Sequence, residues 1–298
     1  MIDSSWLWAV FTVLAAAAQT ARNAMQRELT ASLGTVGATH VRFLFGFPFA
    51  LVFLALIALA SGIALPRPGA WFWPWIAVGT LAQIAATALM LAAMGERSFV
   101  VTIAYIKTEP VQVALFGLVF LGDKLTLPMA VAIVIATAGV VVMSLKPSER
   151  SGGGRPMALG LTAGGMFALS AIGYRGAILT LEHTTFVMAA TFTLAVGLVM
   201  QAALLSLYLA IRDRAVLVAI AKAWRPSLLA GLMGATASQF WFLAFALASA
   251  ASVRTLALVE VLFAQAISRF VFGQKTTPRE AFGIVLVTFG VVLLLWAH

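Results

Sequence analysis

Residues 186–211 read FVMAATFTLAVGLVMQAALLSLYLAI, a stretch of 26 residues without a charged side chain. About 20 consecutive apolar residues are enough for an α-helix to cross the hydrocarbon core of a bilayer. A helix that is apolar on all sides has no face for water, so this stretch predicts a membrane-spanning helix. Nine further apolar runs occur along the chain, separated by charged residues, glycine or proline.

The apolar runs together predict an all-α integral membrane protein with ten transmembrane helices. Their expected bounds are Trp6–Ala24, Val36–Ala60, Trp73–Met94, Phe99–Leu121, Leu127–Leu145, Met157–Leu179, Phe186–Ile211, Ser227–Ala248, Val253–Phe272 and Pro278–Trp296. Asp3 precedes the first run without the basic segment and cleavage site of a signal peptide, so we expect a retained first helix.

The composition leaves no room for a soluble catalytic domain. The 298 residues are 62% hydrophobic and 10% charged, with a mean hydropathy of +1.04, whereas soluble domains carry about 25% charged residues. The net charge of +9 sits at helix ends and in loops, which favours a membrane-surface role over nucleic-acid binding. Because the chain has no cysteine, disulfides and thiolate metal sites are excluded. We expect a monomeric multi-pass protein of the inner (plasma) membrane, with no cofactor and no metal.

An internal repeat divides the chain almost in half. With an offset of 151 residues, Gly122-Asp-Lys-Leu-Thr aligns with Gly273-Gln-Lys-Thr-Thr, and Glu109 aligns with Glu260. The predicted units are residues 1–145, a Gly-rich linker at 146–156, and residues 157–298. Because five helices per copy is an odd number, consecutive copies enter the membrane from opposite sides. The repeat is therefore predicted to be inverted, as in many transporters.

The distribution of positive charge predicts that both termini lie outside the cytoplasm, because lysine and arginine in short loops mark the cytoplasmic side. Loops after predicted helices 1, 3, 5, 7 and 9 hold Arg22, Arg27, Arg97, Lys146, Arg150, Arg155, Arg212, Arg214, Lys222, Arg225, Lys275 and Arg279. The opposite side holds only Arg67, Lys124, Arg175 and Arg254.

Two related motifs resemble those of the drug/metabolite transporter superfamily, and within it the EamA-type proteins. They are Thr108-Glu-Pro-Val leading to Leu121-Gly-Asp-Lys-Leu-Thr, and Leu258-Val-Glu-Val leading to Phe272-Gly-Gln-Lys-Thr. The chain departs from the family pattern with Val261 for the second proline, and with Asp123 and Gln274 for the turn acids. The resemblance implies ten helices around a central cavity, transport of small metabolites or amino acids, and cytoplasmic termini. That last implication opposes the charge distribution, so the side of the termini stays open.

Ionisable and polar residues inside membrane spans are costly, so they are functional candidates. The predicted substrate-binding residues are Gln19, Asn23, Gln83, Tyr105, Lys107, Glu109, Tyr174, Gln239, Trp241 and Glu260. Most belong to the helices that the resemblance implies to line the cavity. Lys107 or the amides are candidates for a substrate carboxylate, the two glutamates for an ammonium group, and the aromatic residues for an apolar wall. A purely structural role remains the alternative for both glutamates.

Other residues are assigned to the membrane rather than to a ligand. Arg22, Arg175 and Arg254 lie near predicted helix ends and are expected to extend to the interface. Pro110 is expected to kink the fourth helix. The cluster Trp71–Trp75 is typical of an interfacial belt. The aromatic stretch Phe240–Phe245 is expected to face lipid, with an aromatic cavity wall as the alternative.

These features together predict a secondary transporter that exports amino acids, with aromatic ones among them, or related small metabolites. In this predicted substrate the chain resembles the aromatic amino-acid exporter branch of the family. A lipid or isoprenoid-carrier translocator is the first alternative, and a side opening between helices would indicate it. An intramembrane enzyme is disfavoured because no zinc-binding His-Glu-x-x-His motif is present among only three histidines. A channel is disfavoured because no ring of filter residues is visible.

Overall fold

The computed structural model describes residues 6–96, 105–144, 154–270 and 277–297, and all regular structure in these ranges is helical. The first half contains α1 (Leu7–Leu44), α2 (Phe47–Ser61), α3 (Phe72–Glu96), α4 (Glu109–Phe116), a π-helical segment (Gly117–Leu121) and α5 (Leu127–Ser144). The second half contains α6 (Gly154–Leu179), α7 (Phe186–Arg212), α8 (Arg214–Lys222), α9 (Trp224–Leu247), α10 (Ala250–Leu256), α11 (Val259–Phe270) and α12 (Pro278–Ala297).

Six segments of the described ranges are long and apolar enough to cross a membrane. They are Glu28–Ser61, Phe72–Ala93, Met157–Leu179, Phe186–Arg212, Trp224–Leu247 and Pro278–Ala297. Glu109–Leu121 and Leu127–Met143 are shorter apolar helices. Only 28% of the most apolar window of Pro278–Ala297 is buried inside the protein, so its remaining surface requires lipid. The all-α, multi-pass membrane class is confirmed, while the number of ten spans stays a prediction.

The chain reverses within α1 at Gly34, whose φ of 67° and ψ of 176° are not helical. Twelve residues of straight helix span about 18 Å, yet the Gln26 amide donates a hydrogen bond of 3.0 Å to the Ala38 carbonyl. The second predicted span therefore begins after Gly34, close to the expected Val36. The first limb of α1 continues past the expected end of the first span at Ala24 and reaches Gly34, with polar residues such as Gln26 buried inside the protein.

Two helices are interrupted at corresponding places in the two halves. Lys107 and Thr108 form a turn before α4, and Ala257 and Leu258 form a turn between α10 and α11. The interruptions lie 150 residues apart. The predicted kink at Pro110 takes a different form, because this residue lies in the first turn of α4, where its missing N–H breaks no helical bond.

Tight turns of the same kind bridge both interruptions. The Thr108 N–H donates to the Tyr105 carbonyl at 3.3 Å, and the Leu258 N–H donates to the Thr255 carbonyl at 3.1 Å. These bonds close after three residues instead of the four of an α-helix. Discontinuous helices in corresponding positions of two halves are a feature of transporter binding sites.

The most extensive helix contacts are α3 with α6, α1 with α9, and α5 with α12. In the predicted repeat, α1 corresponds to α6, α3 to α9 and α5 to α12. Exchanging the two halves therefore converts the α3–α6 contact into the α1–α9 contact, and it leaves the α5–α12 contact unchanged. Small residues allow the α5–α12 contact: a Cβ atom on Gly139 would lie 2.7 Å from the Val287 nitrogen, and one on Gly290 would lie 2.6 Å from the Ala136 nitrogen. Gly283 is equally close to α5, since a Cβ atom there would lie 2.7 Å from the Gly139 carbonyl oxygen. The inverted repeat is compatible with this pairing and stays a prediction.

The ends of several helices carry features of a membrane interface. Trp71 and Trp73 are 75% and 51% exposed, as expected for residues of an interfacial belt. The short helix α8 lies between α7 and α9, where the sequence predicts only a loop. It begins and ends with the exposed cations Arg214 and Lys222. An apolar helix face between cations is typical of a helix that lies in the plane of the interface.

The predicted linker lies largely outside the described residues, as does the second turn motif at Gly273. Residues 145–153 and 271–276 are not described, nor are residues 97–104 of the predicted fourth span. Where the description resumes, α6 already begins at Gly154, three residues before the expected Met157.

Candidate functional site

Two buried ion pairs join the two halves of the chain. The Lys107 Nζ atom lies 2.6 Å from a carboxylate oxygen of Glu260, and the Arg254 Nε atom lies 3.0 Å from a carboxylate oxygen of Glu109. All four residues are at most 8% exposed. Each glutamate therefore receives its cation from the opposite half, and we call these contacts the crossed ion pairs.

The helix interruptions explain why the two acids can be held there. Glu109 lies in the first turn of α4 and Glu260 in the first turn of α11. The first N–H groups of a helix have no partner within it, and they form the positive end of its dipole. Each carboxylate thus meets a helix N-terminus on one side and a cation from the other half on the other. Breaking the helices at these points makes two buried acids less costly.

Arg254 also contacts an aromatic wall. Its guanidinium carbon lies 4.3 Å from the Trp241 ring centroid and 5.4 Å from that of Phe245. The Trp241 indole N–H donates a hydrogen bond of 3.0 Å to the Gln19 side-chain oxygen. Trp241, Phe242 and Phe245 are at most 5% exposed, so the expectation that this stretch faces lipid is wrong for them. They form an interior wall around a cation.

A second polar cluster lies where α1, α3 and α6 meet. With the Gln83 amide oriented to satisfy its neighbours, its oxygen accepts from the Arg42 guanidinium at 3.0 and 3.1 Å and its nitrogen donates to the Ser170 hydroxyl at 2.6 Å. Arg42 also donates to the Thr87 hydroxyl at 3.2 Å. Nearby, the Gln201 amide donates to the Tyr174 hydroxyl at 2.8 Å.

These groups line two small cavities that share Gln19 and Arg254. The first, which we call the aromatic cavity, is lined by Gln19, Arg42, Gln83, Tyr174, Leu194, Leu198, Gln201, Ser238, Trp241, Phe242, Phe245 and Arg254. The second, the acidic cavity, is lined by Gln19, Arg22, Asn23, Met90, Ile106, Lys107, Glu109, Phe167, Arg254 and Glu260. Each has room for about one water molecule. The site is therefore closed in this conformation.

The structure brings together eight of the ten predicted site residues. The aromatic cavity contains Gln19, Gln83, Tyr174 and Trp241, and the acidic cavity contains Gln19, Asn23, Lys107, Glu109 and Glu260. Tyr105 lines neither cavity and packs against Gly160. Gln239 also lines neither, and its amide donates to the Thr191 hydroxyl at 2.8 Å.

Sequence reasoning missed the arginines of the site. Arg22 is 1% exposed and Arg254 is 8% exposed, so the expectation that they extend to the interface is wrong. Arg175 is also mostly buried: its guanidinium lies 3.6 Å from Asp123 and donates to backbone carbonyls at the end of α9. Charge balance could have identified these arginines from the sequence. Buried acids inside spans need cations as partners, and the sequence analysis assigned no cation to either glutamate. No cluster of three or more possible metal ligands occurs in the part of the chain that the structure describes.

Comparisons with known proteins give a family match and similarity to solved structures. The model of the EamA-like transporter family matches residues 6–145. A solved crystal structure of a protein superposes with a TM-score of 0.70 over 98% of this chain and 96% of that chain, at 13% sequence identity. At that identity the similarity concerns the fold alone. A search of curated protein sequences finds no match.

Proposed function

Because residues 6–145 belong to the EamA-like transporter family, we propose that this multi-pass membrane protein is a secondary transporter that exports amino acids or related small metabolites by alternating access. The observation that carries the proposal is the crossed arrangement of the two ion pairs at the interrupted helices. The family supports transport of small molecules, and the site supports a substrate with charged groups.

An amino acid matches the crossed ion pairs because it carries one carboxylate and one ammonium group. When Arg254 and Glu109 separate, the substrate carboxylate takes the place of Glu109 beside the guanidinium. The substrate ammonium then takes the place of Arg254 beside the carboxylate. Neither Arg254 nor Glu109 is then left without an opposite charge, which avoids the cost of about 3–5 kcal/mol that follows the loss of one partner.

Alternating access requires contacts between the halves that open and close. The crossed ion pairs are such contacts, since each joins a helix of the first half to a helix of the second. We propose that the halves rock about the interrupted helices as the pairs exchange with substrate. The small cavities then correspond to a closed state between the two open ones.

The aromatic cavity supplies the apolar contact for a substrate side chain. Trp241, Phe242 and Phe245 present ring surfaces beside the polar groups of Gln19 and Tyr174. Apolar pockets discriminate weakly, by about 1–3 kcal/mol per methylene. We therefore propose broad specificity that includes aromatic amino acids.

Translocation of a lipid or isoprenoid carrier is the second candidate, because an apolar groove lies between α2, α7 and α9. Its lining is Phe53, Leu56, Ile57, Val187, Thr236, Gln239, Phe240 and Leu243. None of these residues lines either cavity. A lipid translocator needs its side opening to reach the site that holds the polar headgroup, so export of a water-soluble substrate is the better-supported function.

The experiment that tests the proposal is counterflow in liposomes that contain the purified protein. Vesicles are loaded with one unlabelled amino acid at a time, and entry of the labelled form is followed. We expect accumulation above that in protein-free vesicles for several amino acids. Gln239→Leu serves as the matched control, because it changes the apolar groove and neither cavity. Accumulation of no amino acid would overturn amino-acid export, and fluorescent-lipid flipping in the same vesicles would support the second candidate.

A further inference from the structure

We infer that this site takes small organic anions with two acidic groups, and that Arg22 and Arg42 bind the second acidic group. The inference rests on the proposed function, because the crossed ion pairs already accommodate one carboxylate and one ammonium group. It goes beyond that function by naming a substrate class that carries more negative charge than a neutral amino acid.

Arg22 is a buried cation with free donors. It is 1% exposed, and its hydrogen bond of 2.7 Å goes to the uncharged amide of the adjacent Asn23. Its Nε and Nη1 atoms are buried and have no hydrogen-bond partner. Arg22 lines the acidic cavity, so these donors are available beside a site that a ligand can enter.

Arg42 is likewise a buried cation with a free donor, and it lines the aromatic cavity. It is 5% exposed, and its partners are the uncharged side chains of Gln83 and Thr87. Its Nε atom is buried without a hydrogen-bond partner. An arginine fork offers five donors in a plane, which suits a carboxylate or phosphate better than amides and hydroxyls.

The two arginines lie side by side. A Cβ atom added to Gly234 would lie 3.4 Å from the Arg22 Cδ atom and 3.4 Å from the Arg42 Cγ atom. Both side chains therefore pack against the same point of α9. The second acidic group of the ligand would lie between these two side chains, while the rest of the ligand extends towards Arg254.

The charges around the cavities do not balance without a ligand. Among the described lining residues there are four cations, Arg22, Arg42, Lys107 and Arg254, and two acids, Glu109 and Glu260. Both acids are engaged in the crossed ion pairs. Two positive charges thus remain without an acidic partner within the described ranges. Since a buried unpaired charge is strongly destabilising, an anion is the group that the site lacks.

The test compares glutamate with glutamine, which have nearly the same shape and differ by one acidic group. Succinate is the third probe, because it has two carboxylates and no ammonium group. In counterflow with the wild-type protein, we expect glutamate or succinate to be transported at least about tenfold more efficiently than glutamine. Arg42→Gln and Arg22→Gln should each reduce this preference about tenfold, whereas Arg225→Gln, at an exposed position, should leave it unchanged.

The outcomes separate this inference from the proposed function. Transport of glutamine as fast as glutamate and succinate would overturn the inference and leave amino-acid export standing. Transport of none of the probes, with no other amino acid transported, would overturn both. A glutamate preference that survives both arginine substitutions would also overturn the assignment of Arg22 and Arg42.

Thermal unfolding keeps the test decisive where a variant transports poorly. A ligand that binds only the folded protein raises the unfolding temperature. Glutamate or succinate should raise it for the wild-type protein and for Arg225→Gln, and should fail to raise it for Arg22→Gln. Equal stabilisation by sodium chloride at the same ionic strength would identify an inorganic anion site and overturn the organic substrate class.

Discussion

The two crossed ion pairs have the same charges but different geometry. Lys107 and Glu260 form a hydrogen bond of 2.6 Å. Arg254 and Glu109 approach to 3.0 Å, but neither the Arg254 Nε nor the facing Glu109 oxygen makes a hydrogen bond. Arg254 also faces two aromatic rings and lines both cavities. From this comparison we propose that the lysine pair closes the site and that the arginine pair is the one that a substrate opens.

The largest effect should come from Arg254→Gln. Loss of this cation leaves Glu109 as an unpaired buried acid and removes the group shared by both cavities, so we expect at least a 100-fold loss of counterflow and about 3–5 kcal/mol of destabilisation. Thermal unfolding and counterflow measure the two effects. Adding Glu109→Gln should recover stability without recovering transport. A single variant that transports within threefold of the wild-type rate would show that the arginine pair is not the opening contact.

Lys107→Met should have an intermediate effect of about tenfold on transport. Loss of Lys107 leaves Glu260 as an unpaired buried acid, so we expect a loss of stability, with enough folded protein remaining for the transport assay. Counterflow gives the rate, and size-exclusion chromatography in detergent gives the amount of folded protein. The double variant with Glu260→Gln should be the more stable of the two. An unchanged rate would reduce Lys107 to a structural residue.

Trp241→Ala should impair export of aromatic substrates about tenfold, because an aromatic pair contributes roughly 0.5–1.5 kcal/mol beyond its buried area. Tyr105→Ala is the matched control, since Tyr105 packs against Gly160 and lines neither cavity. Tolerance of toxic aromatic and aliphatic amino-acid analogues by overproducing cells measures both. If Trp241→Ala leaves the ratio of aromatic to aliphatic export unchanged, as Tyr105→Ala should, the aromatic wall does not contact the substrate.

Pro110→Ala should have the smallest effect, below about threefold on transport. The interruption at Ala257 and Leu258 forms without a proline, so the corresponding turn before α4 should also persist. Counterflow by the variant measures the effect. Loss of transport above tenfold would mean that the two interruptions differ in mechanism, and that proline maintains the first one.

The fold class was predictable because its signal is local. Long uncharged runs such as residues 186–211 predict membrane spans from the local sequence alone. Pro278 predicts a helix start, because proline is favoured in the first turn of a helix. The first helix could not be delimited in this way, since Gln26 and Arg22 are polar in sequence yet buried in the fold. A hydropathy scale counts these two residues against a span, although both are buried inside the protein.

The site was predictable only in part because its partners are distant in sequence. The spacing of Lys107 and Glu109 shows that they cannot pair with each other on one helix. Which residue pairs with each of them depends on how α10 and α11 pack against the first half. Arg254 lies near a predicted helix end, and only the fold shows that this end is buried. Local sequence cannot distinguish a buried helix end from one at the interface.

The reversal at Gly34 has a consequence for engineering the protein. One residue with a positive φ connects the two limbs of α1, so this connection has no spare length and any inserted tag would force the limbs apart. Residues 62–69 differ, because they have no regular helix or strand and most are exposed. Reporter domains, affinity tags and protease sites therefore belong in that second connection, where the chain can lengthen without disturbing the helices on either side.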